Sequence, residues 1–160
     1  MRIFALCLII MPSLAEALSC LPWGVTDAYL AADTADGAYV IVQGQLDFNE
    51  DLLPQADWDN QTDTPALTLI PGRISGHAWG RSADVDFETD VTLRVRCYGP
   101  WCAGAASGEV LAFLRKEEGR YSISTNPCGG NLFGAPTHAQ IAATRACLKG
   151  GACKPTSQRP

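Results

Sequence analysis

The sequence predicts a mainly β fold, a closed five-stranded antiparallel barrel reinforced by disulfides, with a short N-terminal helix and a C-terminal helix. Three observations support this prediction. Five segments carry the alternating or β-branched and aromatic patterns typical of strands, one helical pattern precedes them and another follows, and six cysteines come after an apolar leader. A chain of 160 residues buries roughly 65–70% of its unfolded surface, which is enough for one core.

Composition excludes two broad classes of protein. Apolar residues make up 47% of the chain, and four Trp, five Phe and four Tyr are present, which is not the composition of a disordered protein. No run of 18 or more apolar residues occurs, so no transmembrane helix is expected.

Residues 1–19 have the layout of a secretory signal peptide. A basic residue stands at position 2, an apolar stretch runs from Ile3 to Leu14, and small residues follow. We therefore expect export to the periplasm or out of the cell, with residues 20–160 forming a single domain.

Two cleavage sites fit the small residues at the end of this leader. Cleavage after Ala17 would release a chain that starts at Leu18, whereas cleavage after Ser19 would release one that starts at Cys20. A lipid anchor on Cys20 is not expected, because the leucine usually found three residues before such a cysteine is Ala17 here.

The six cysteines beyond the leader predict a disulfide framework. An even number of cysteines in an exported chain favours three disulfides, each contributing roughly 2–4 kcal/mol to stability. Their spacings do not match the C-x-x-C pairs of zinc ribbons or redox motifs, so we expect neither a metal nor another cofactor. The six are Cys20, Cys97, Cys102, Cys128, Cys147 and Cys153.

Proximity in the sequence suggests one of the three pairings. Only five residues, including Gly150 and Gly151, separate Cys147 from Cys153, and this short loop can turn back on itself. For the other four cysteines the preferred pairs are Cys20 with Cys97, and Cys102 with Cys128.

The first helix and the first strand follow the leader. Alanines and other apolar residues predict a short helix over Val25–Ala35, with Asp27 near its start, where a carboxylate favours the helix dipole. Asp36-Gly37 ends this helix. The β-branched and aromatic segment Ala38–Phe48 then predicts a long strand.

The middle of the chain predicts a long loop and two strands. Asn49–Pro65 is rich in Asn, Asp, Gln, Pro and Thr and predicts a loop. Leu67–Trp79 resumes strand character, but Pro71-Gly72 and Gly76 favour a bulge or a sharp bend within it. The alternation of apolar and charged residues over Asp84–Cys97 predicts a half-buried strand.

The C-terminal half predicts a hairpin and a helix. Glu109–Arg115 and Arg120–Thr125 flank a polar connection that ends in glycine, as in a β-hairpin. Thr137–Leu148 has helical spacing and stops at Gly150-Gly151. Five strands with bends and two flanking helices match an OB-type barrel better than a sandwich.

Four segments resemble the netrin-like, TIMP-like group of OB-fold domains. They are Cys20, YVIVQG at 39–44, RCYGPWC at 96–102, and the hairpin of Glu109–Gly130 that ends in NPCGG. The chain is most similar to exported bacterial members of this group, which have no assigned activity. This resemblance implies an OB barrel with cysteines at the ends of strands.

The resemblance also implies a metalloprotease inhibitor as an alternative function. In tissue inhibitors of metalloproteinases, the α-amino group and carbonyl of an N-terminal cysteine chelate the protease zinc. Only Cys20 could take this role here, with Leu21 as the adjacent contact, and only after cleavage behind Ser19. The second cysteine of the inhibitor pattern is replaced by Pro22.

The residues themselves favour a non-enzymatic binding module for another protein. No G-x-S-x-G motif is present, and two histidines are too few for a histidine-rich metal site. Trp58, between Asp57 and Asp59 in the long loop, is difficult to bury and predicts a partner contact. Trp79 and Trp101 lie beside strand ends, where we expect them to pack in the core or against a disulfide.

Charge makes nucleic acid an unexpected partner. From Cys20 to Asp90 there are 13 carboxylates and two arginines, while Val91–Pro160 carries nine cationic and three acidic residues. The net charge of −5 repels phosphate, which dominates the affinity for nucleic acid. We expect the two halves to complement each other across the barrel.

Overall fold

A computed structural model describes residues 18–156 of the chain, so the predicted leader up to residue 17 lies outside the described residues. The described part contains two α-helices and eight strands. In chain order they are α1 (Val25–Thr34), β1 (Ala38–Phe48), β2 (Leu67–Ala78), β3 (Val85–Tyr98), β4 (Trp101–Cys102), β5 (Gly108–Glu117), β6 (Arg120–Asn126), β7 (Gly129–Gly130), β8 (Leu132–Gly134) and α2 (His138–Leu148).

The five long strands form a closed barrel. β1 pairs with β2 on one side and with β5 on the other, β2 pairs with β3, and β5 pairs with β6, all antiparallel. β6 then runs parallel to β3 and closes the sheet on itself. This order and its parallel closing pair are those of an OB-type barrel, so the predicted fold class is confirmed.

The main elements lie within about two residues of their predicted bounds, and β1 coincides with its prediction. The expected bulge in β2 is absent, because the register with β1 runs without interruption from Val42–Ala78 to Phe48–Gly72. Gly76 instead lies directly opposite Gly44, and a methyl group on either would overlap the facing backbone. These glycines allow the two strands to approach closely.

The barrel interior is filled by the inward-facing residues of all five strands. Alternation along the strands predicts this, since every second side chain faces inward. Most of these side chains are completely buried, as the core of a closed barrel requires. The largest of them are Val42, Leu46, Ile70, Ile74, Leu93, Val95, Val110, Leu114 and Ile123.

A second core lies between the outer face of β1 and β5 and the two helices. Ile41, Leu111 and Phe113 face outward from the barrel and pack against Tyr29 of α1 and Cys147 of α2. Thr137 caps α2, its side chain accepting a hydrogen bond from the Gln140 backbone at 3.2 Å. The wall formed by β1 and β5 is therefore buried on both faces.

Three disulfides are present in the described part of the chain, and two of them differ from the predicted pairs. The predicted bond between Cys147 and Cys153 is confirmed. The other two preferred pairings, Cys20 with Cys97 and Cys102 with Cys128, are wrong. The structure joins Cys20 to Cys128 and Cys97 to Cys102.

The physical reason is a short hairpin that the sequence pattern does not reveal. β3 turns at Gly99 into the two-residue strand β4, and this places Cys97 and Cys102 directly opposite each other. Cys128 follows β6 at the end of the barrel. The segment before α1 crosses this end, and it therefore brings Cys20 to Cys128.

The two ends of the described chain meet at the N-terminus of α1. Asp27 accepts a hydrogen bond from the Gly24 backbone at 2.9 Å, a bifurcated one from the Thr156 backbone N–H at 3.1 Å to each carboxylate oxygen, and one from the Thr156 hydroxyl. Burial acts to raise the pKa of Asp27, but these hydrogen bonds outweigh it and hold the pKa below its ordinary value.

Candidate functional site

A groove of about 810 Å³ opens at the end of the barrel where β6 ends, beside the short strands β4, β7 and β8. We call it the mouth groove. Its walls come from the segment before α1, the loop between β1 and β2, the β3–β4 turn and the segment after β6. Its principal lining residues are Leu18, Trp23, Leu53, Pro54, Trp58, Pro100, Trp101, Pro127, Leu132 and Phe133.

Trp23 forms one wall because Gly129 leaves room for its ring. Gly129 adopts a φ of +140°, and a methyl group there would overlap the Trp23 indole. The indole Nε1 donates a hydrogen bond of 2.8 Å to the carbonyl oxygen of Gly130. The disulfide between Cys20 and Cys128 also joins the segment that carries Trp23 to the segment that carries Gly129. Trp23 is therefore held in place although 42% of its surface is exposed.

Trp58 and Trp101 line the groove together. Their rings meet edge to face with centroids 6.2 Å apart, which is a favourable arrangement for aromatic rings. Trp101 is held by β4 and lies next to the disulfide-bonded Cys102. Trp58 is 63% exposed, so most of its ring is free to contact a ligand.

Asp57 builds the turn that presents Trp58. Its carboxylate accepts hydrogen bonds from the backbone N–H groups of Asp59 at 3.0 Å and Asn60 at 2.8 Å. An aspartate that bonds the backbone two and three residues later stabilises a turn without help from other strands. The position of Trp58 thus depends on the Asp57 carboxylate.

The lining of the mouth groove is uncharged, but the loop beside it is acidic. No Asp, Glu, Lys, Arg or His is among the described residues that line it. Five exposed carboxylates lie in the adjoining loop between β1 and β2, and in the described part of the chain none of them forms a salt bridge. We call them the rim carboxylates: Glu50, Asp51, Asp57, Asp59 and Asp63.

Exposed apolar side chains concentrate around the same end of the barrel. Of the large apolar residues that are exposed in the described chain, most belong to the segments that form or border the mouth groove, and an exposed apolar cluster indicates an interaction site. This set comprises Leu18, Leu21, Trp23, Leu52, Trp58 and Tyr98.

The structure brings some of the predicted contact residues together with others that the sequence did not indicate. Trp58 lies in the groove, with Asp57 and Asp59 beside it. Trp101 packs next to a disulfide as expected, yet it also lines the groove, and Trp23 joins it from a distant part of the chain. The half-buried WC pair at 101–102 is the local sequence signal for this arrangement.

A second groove of about 880 Å³ crosses the β2–β3 face, where OB folds often bind oligonucleotides. Arg73 in this groove donates hydrogen bonds to Glu88 at 2.9 Å and to Asp90 at 2.8 Å, and these carboxylates raise the pKa of its guanidinium. Arg120, the other arginine of the lining, pairs with Glu118. Both cations are therefore already matched by carboxylates.

The residues of the alternative inhibitor edge border the mouth groove but are not part of its lining. Cys20 is exposed and bonded to Cys128, while Leu21 projects into solvent with 84% of its surface exposed. Among residues 18–156, no group of three or more His, Cys, Asp or Glu side chains is arranged to hold a metal ion. Neither helix of this region has the length and apolar character needed to cross a membrane.

No protein-family model, curated protein or solved structure matches this chain.

Proposed function

We propose that the protein is an exported, non-enzymatic binding module that holds another protein in the mouth groove. The observation that carries this proposal is the exposure of Trp23 and Trp58 in an uncharged groove whose walls are fixed by disulfides. Tryptophans are enriched in the residues that dominate protein interfaces, and a preorganised wall reduces the entropy lost on binding.

Export is part of this proposal and has independent support. Three disulfides in the described residues are stable in an oxidising compartment and rare in the cytosol. The apolar leader of residues 1–19 would direct the chain there, and cleavage after Ala17 would leave Leu18 in the groove whereas cleavage after Ser19 would remove it.

Site-specific photo-crosslinking tests the proposal. A benzophenone amino acid replaces Trp58 in the groove, or Val85, which is 60% exposed at the opposite end of the barrel. We expect a discrete crosslinked protein from position 58 in the native exported fraction, lost on competition with excess unmodified protein. The same products from both positions, or none from position 58, would contradict the proposal.

A second function is favoured by one observation, the exposure of Leu21. Cys20 is fixed by its disulfide, and the adjoining Leu21 side chain is available to enter a protease subsite. If the mature chain begins at Cys20, its α-amino group and carbonyl could chelate the catalytic zinc of a metalloprotease. N-terminal sequencing separates the two functions, because a chain that begins at Leu18 has no free amine on Cys20.

A further inference from the structure

The chemistry of the mouth groove restricts the kind of segment it can accept, provided that the proposed function holds. Three prolines and three tryptophans line it, and prolines offer no backbone N–H. The short strands at its border, β4, β7 and β8, have two or three residues each and provide too short an edge for an added strand. A ligand therefore meets mainly ring faces and apolar surface, and the polar side chains of the lining are Gln55, Thr125 and Asn126.

Aromatic grooves of this kind suit the polyproline II conformation. A proline-rich segment is already extended before it binds, so it loses little conformational entropy, and its rings and exposed carbonyls pack against indoles. Trp23 and the Trp58–Trp101 pair come from separate segments of the lining, so an extended chain in the groove would contact both.

The rim carboxylates select the charge of the segment. They stand on the loop that supplies Leu53, Pro54 and Trp58 to the lining, and in the described residues they have no cationic partner. Positive side chains beside the apolar part of a ligand would meet these carboxylates, whereas acidic ones would be repelled. An uncharged lining next to an acidic rim thus favours an apolar segment with basic flanks.

We propose that the mouth groove binds an extended, proline-rich segment of a partner protein in which lysine or arginine flanks the apolar residues. The aromatic walls hold the apolar part. The rim carboxylates attract the flanks, mainly by accelerating association and by rejecting acidic sequences.

Peptide titration monitored by tryptophan fluorescence and calorimetry tests this inference on the mature protein. The probes are a peptide of alternating proline and leucine with lysines at both ends, the same core with glutamates at both ends, and a glycine-serine core with lysines. A neutral β-1,4-linked glucose hexasaccharide is included as a ligand of a different class.

We expect the lysine-flanked proline peptide to bind most tightly and to weaken as salt is added, because rim charges are exposed and screened. Trp58→Ala should weaken its binding more than about tenfold, as loss of a central aromatic anchor does. Asp51→Asn combined with Asp59→Asn should weaken it about three- to tenfold at low salt. Neither the Asp51 nor the Asp59 side chain makes a hydrogen bond or salt bridge within the described residues, so these substitutions remove charge alone.

A matched control removes the same charge from the opposite end of the barrel. Asp33 and Asp36 are exposed near the end of α1, so Asp33→Asn with Asp36→Asn should leave peptide binding unchanged. An equal loss in this control would show a nonspecific effect of net charge and would overturn the role of the rim carboxylates.

The remaining outcomes separate this inference from the proposed function. Equal affinity for the lysine- and glutamate-flanked peptides, or no binding of the proline peptides, overturns the inference. A groove-specific crosslink at position 58 would in that case still support the proposed function as a binding module. Preference for the hexasaccharide, lost in Trp58→Ala, overturns both the inference and the protein partner. Identical crosslinks at positions 58 and 85 reject the proposed function whatever the peptides do.

Discussion

The guanidinium of Arg145 lies over the indole ring of Trp79, with its central carbon 3.8 Å from the ring centroid. The same group donates two hydrogen bonds to Asp84, at 2.7 and 2.6 Å. Arg145 belongs to α2, while Trp79 and Asp84 lie in the connection between β2 and β3. In the described residues this is the ion pair that joins the acidic and basic halves of the chain, and it fastens the helix to the barrel.

The first prediction concerns the contacts of Arg145 with Trp79 and Asp84. Arg145→Ala should lower the free energy of unfolding by about 1–2 kcal/mol, because a stacked and bidentate cation is lost. Arg145→Lys should recover less than half of that loss, since an ammonium group cannot form both contacts. Urea unfolding under non-reducing conditions measures both variants. Full recovery with lysine would show that only the charge matters.

The control for Arg145 is a second arginine that also donates two hydrogen bonds to carboxylates. Arg73 pairs with Glu88 and Asp90 on the β2–β3 surface, but the side chains of this cluster are more than half exposed. Solvent screens such pairs strongly. Arg73→Ala should therefore have a much smaller effect than Arg145→Ala in the same unfolding experiment.

The second prediction is a pH dependence that arises from Asp27. The pKa of Asp27 is lowered in the folded protein, so its contribution to stability is complete above its unfolded pKa of about 3.9 and is lost as pH falls through the lower folded value. Asp27→Asn should be less stable than the wild type at neutral pH. The difference should shrink below about pH 4.

Unfolding experiments at a series of pH values measure this convergence. Asp84 has a lowered pKa as well, because Arg145 donates hydrogen bonds to its carboxylate. In the double variant Asp27→Asn with Asp84→Asn, the free energy of unfolding should therefore depend less steeply on pH in the acid range than in either single variant. A constant difference between the wild type and Asp27→Asn over the acid range would contradict the role of Asp27.

The third prediction ranks two disulfides by the length of the loop that each closes. The bond between Cys20 and Cys128 spans 108 residues, whereas the bond between Cys97 and Cys102 spans five. The chain-entropy relation assigns about 5 kcal/mol to the first and about 2 kcal/mol to the second. Paired Cys→Ser variants measured by urea unfolding should follow this order, and a reversed order would contradict it.

The strand and helix pattern of this chain could be predicted from sequence because it depends on local periodicity. Alternation over Ala38–Phe48 and Asp84–Cys97 reports which side chains face the barrel interior, and Thr137 begins α2 as a capping residue does. The parallel pairing of β3 with β6 also follows from the five-strand order of the predicted fold.

The site and the disulfides depend on contacts between distant segments, which periodicity does not encode. β4 and β7 have two residues each, too few for a pattern, and β4 sets the bond between Cys97 and Cys102. Trp23 reaches the groove only because the segment before α1 crosses over Gly129. Trp58 was predictable because an indole between two aspartates in a long loop has no local core to enter.

The fourth prediction tests the wall formed by Trp23. Gly129→Ala introduces a methyl group that overlaps the indole ring, and it does so at a φ of +140° that alanine rarely adopts. We expect a loss of about 1–3 kcal/mol in stability and a shift of tryptophan fluorescence as Trp23 moves toward solvent. Gly104→Ala is the matched control, since Gly104 also lines the mouth groove but has no atom close to the added methyl group.

The fifth prediction separates two neighbouring aspartates of the acidic loop. Asp57 holds the turn through two backbone hydrogen bonds, while Asp59 contributes only its backbone N–H. Asp57→Ala should accelerate amide hydrogen exchange at residues 59 and 60 by roughly 2- to 10-fold, which corresponds to the net free energy of one such hydrogen bond. Asp59→Ala should leave the exchange at residue 60 unchanged.

The same pair of variants distinguishes positioning from charge in ligand binding. Both remove one rim carboxylate, so a purely electrostatic role predicts equal losses of affinity for the lysine-flanked peptide. Because Asp57 also fixes the backbone that carries Trp58, we expect Asp57→Ala to weaken binding more than Asp59→Ala, and the excess to persist at high salt, where charge effects are screened. Equal losses that vanish together on adding salt would show that the turn does not position Trp58.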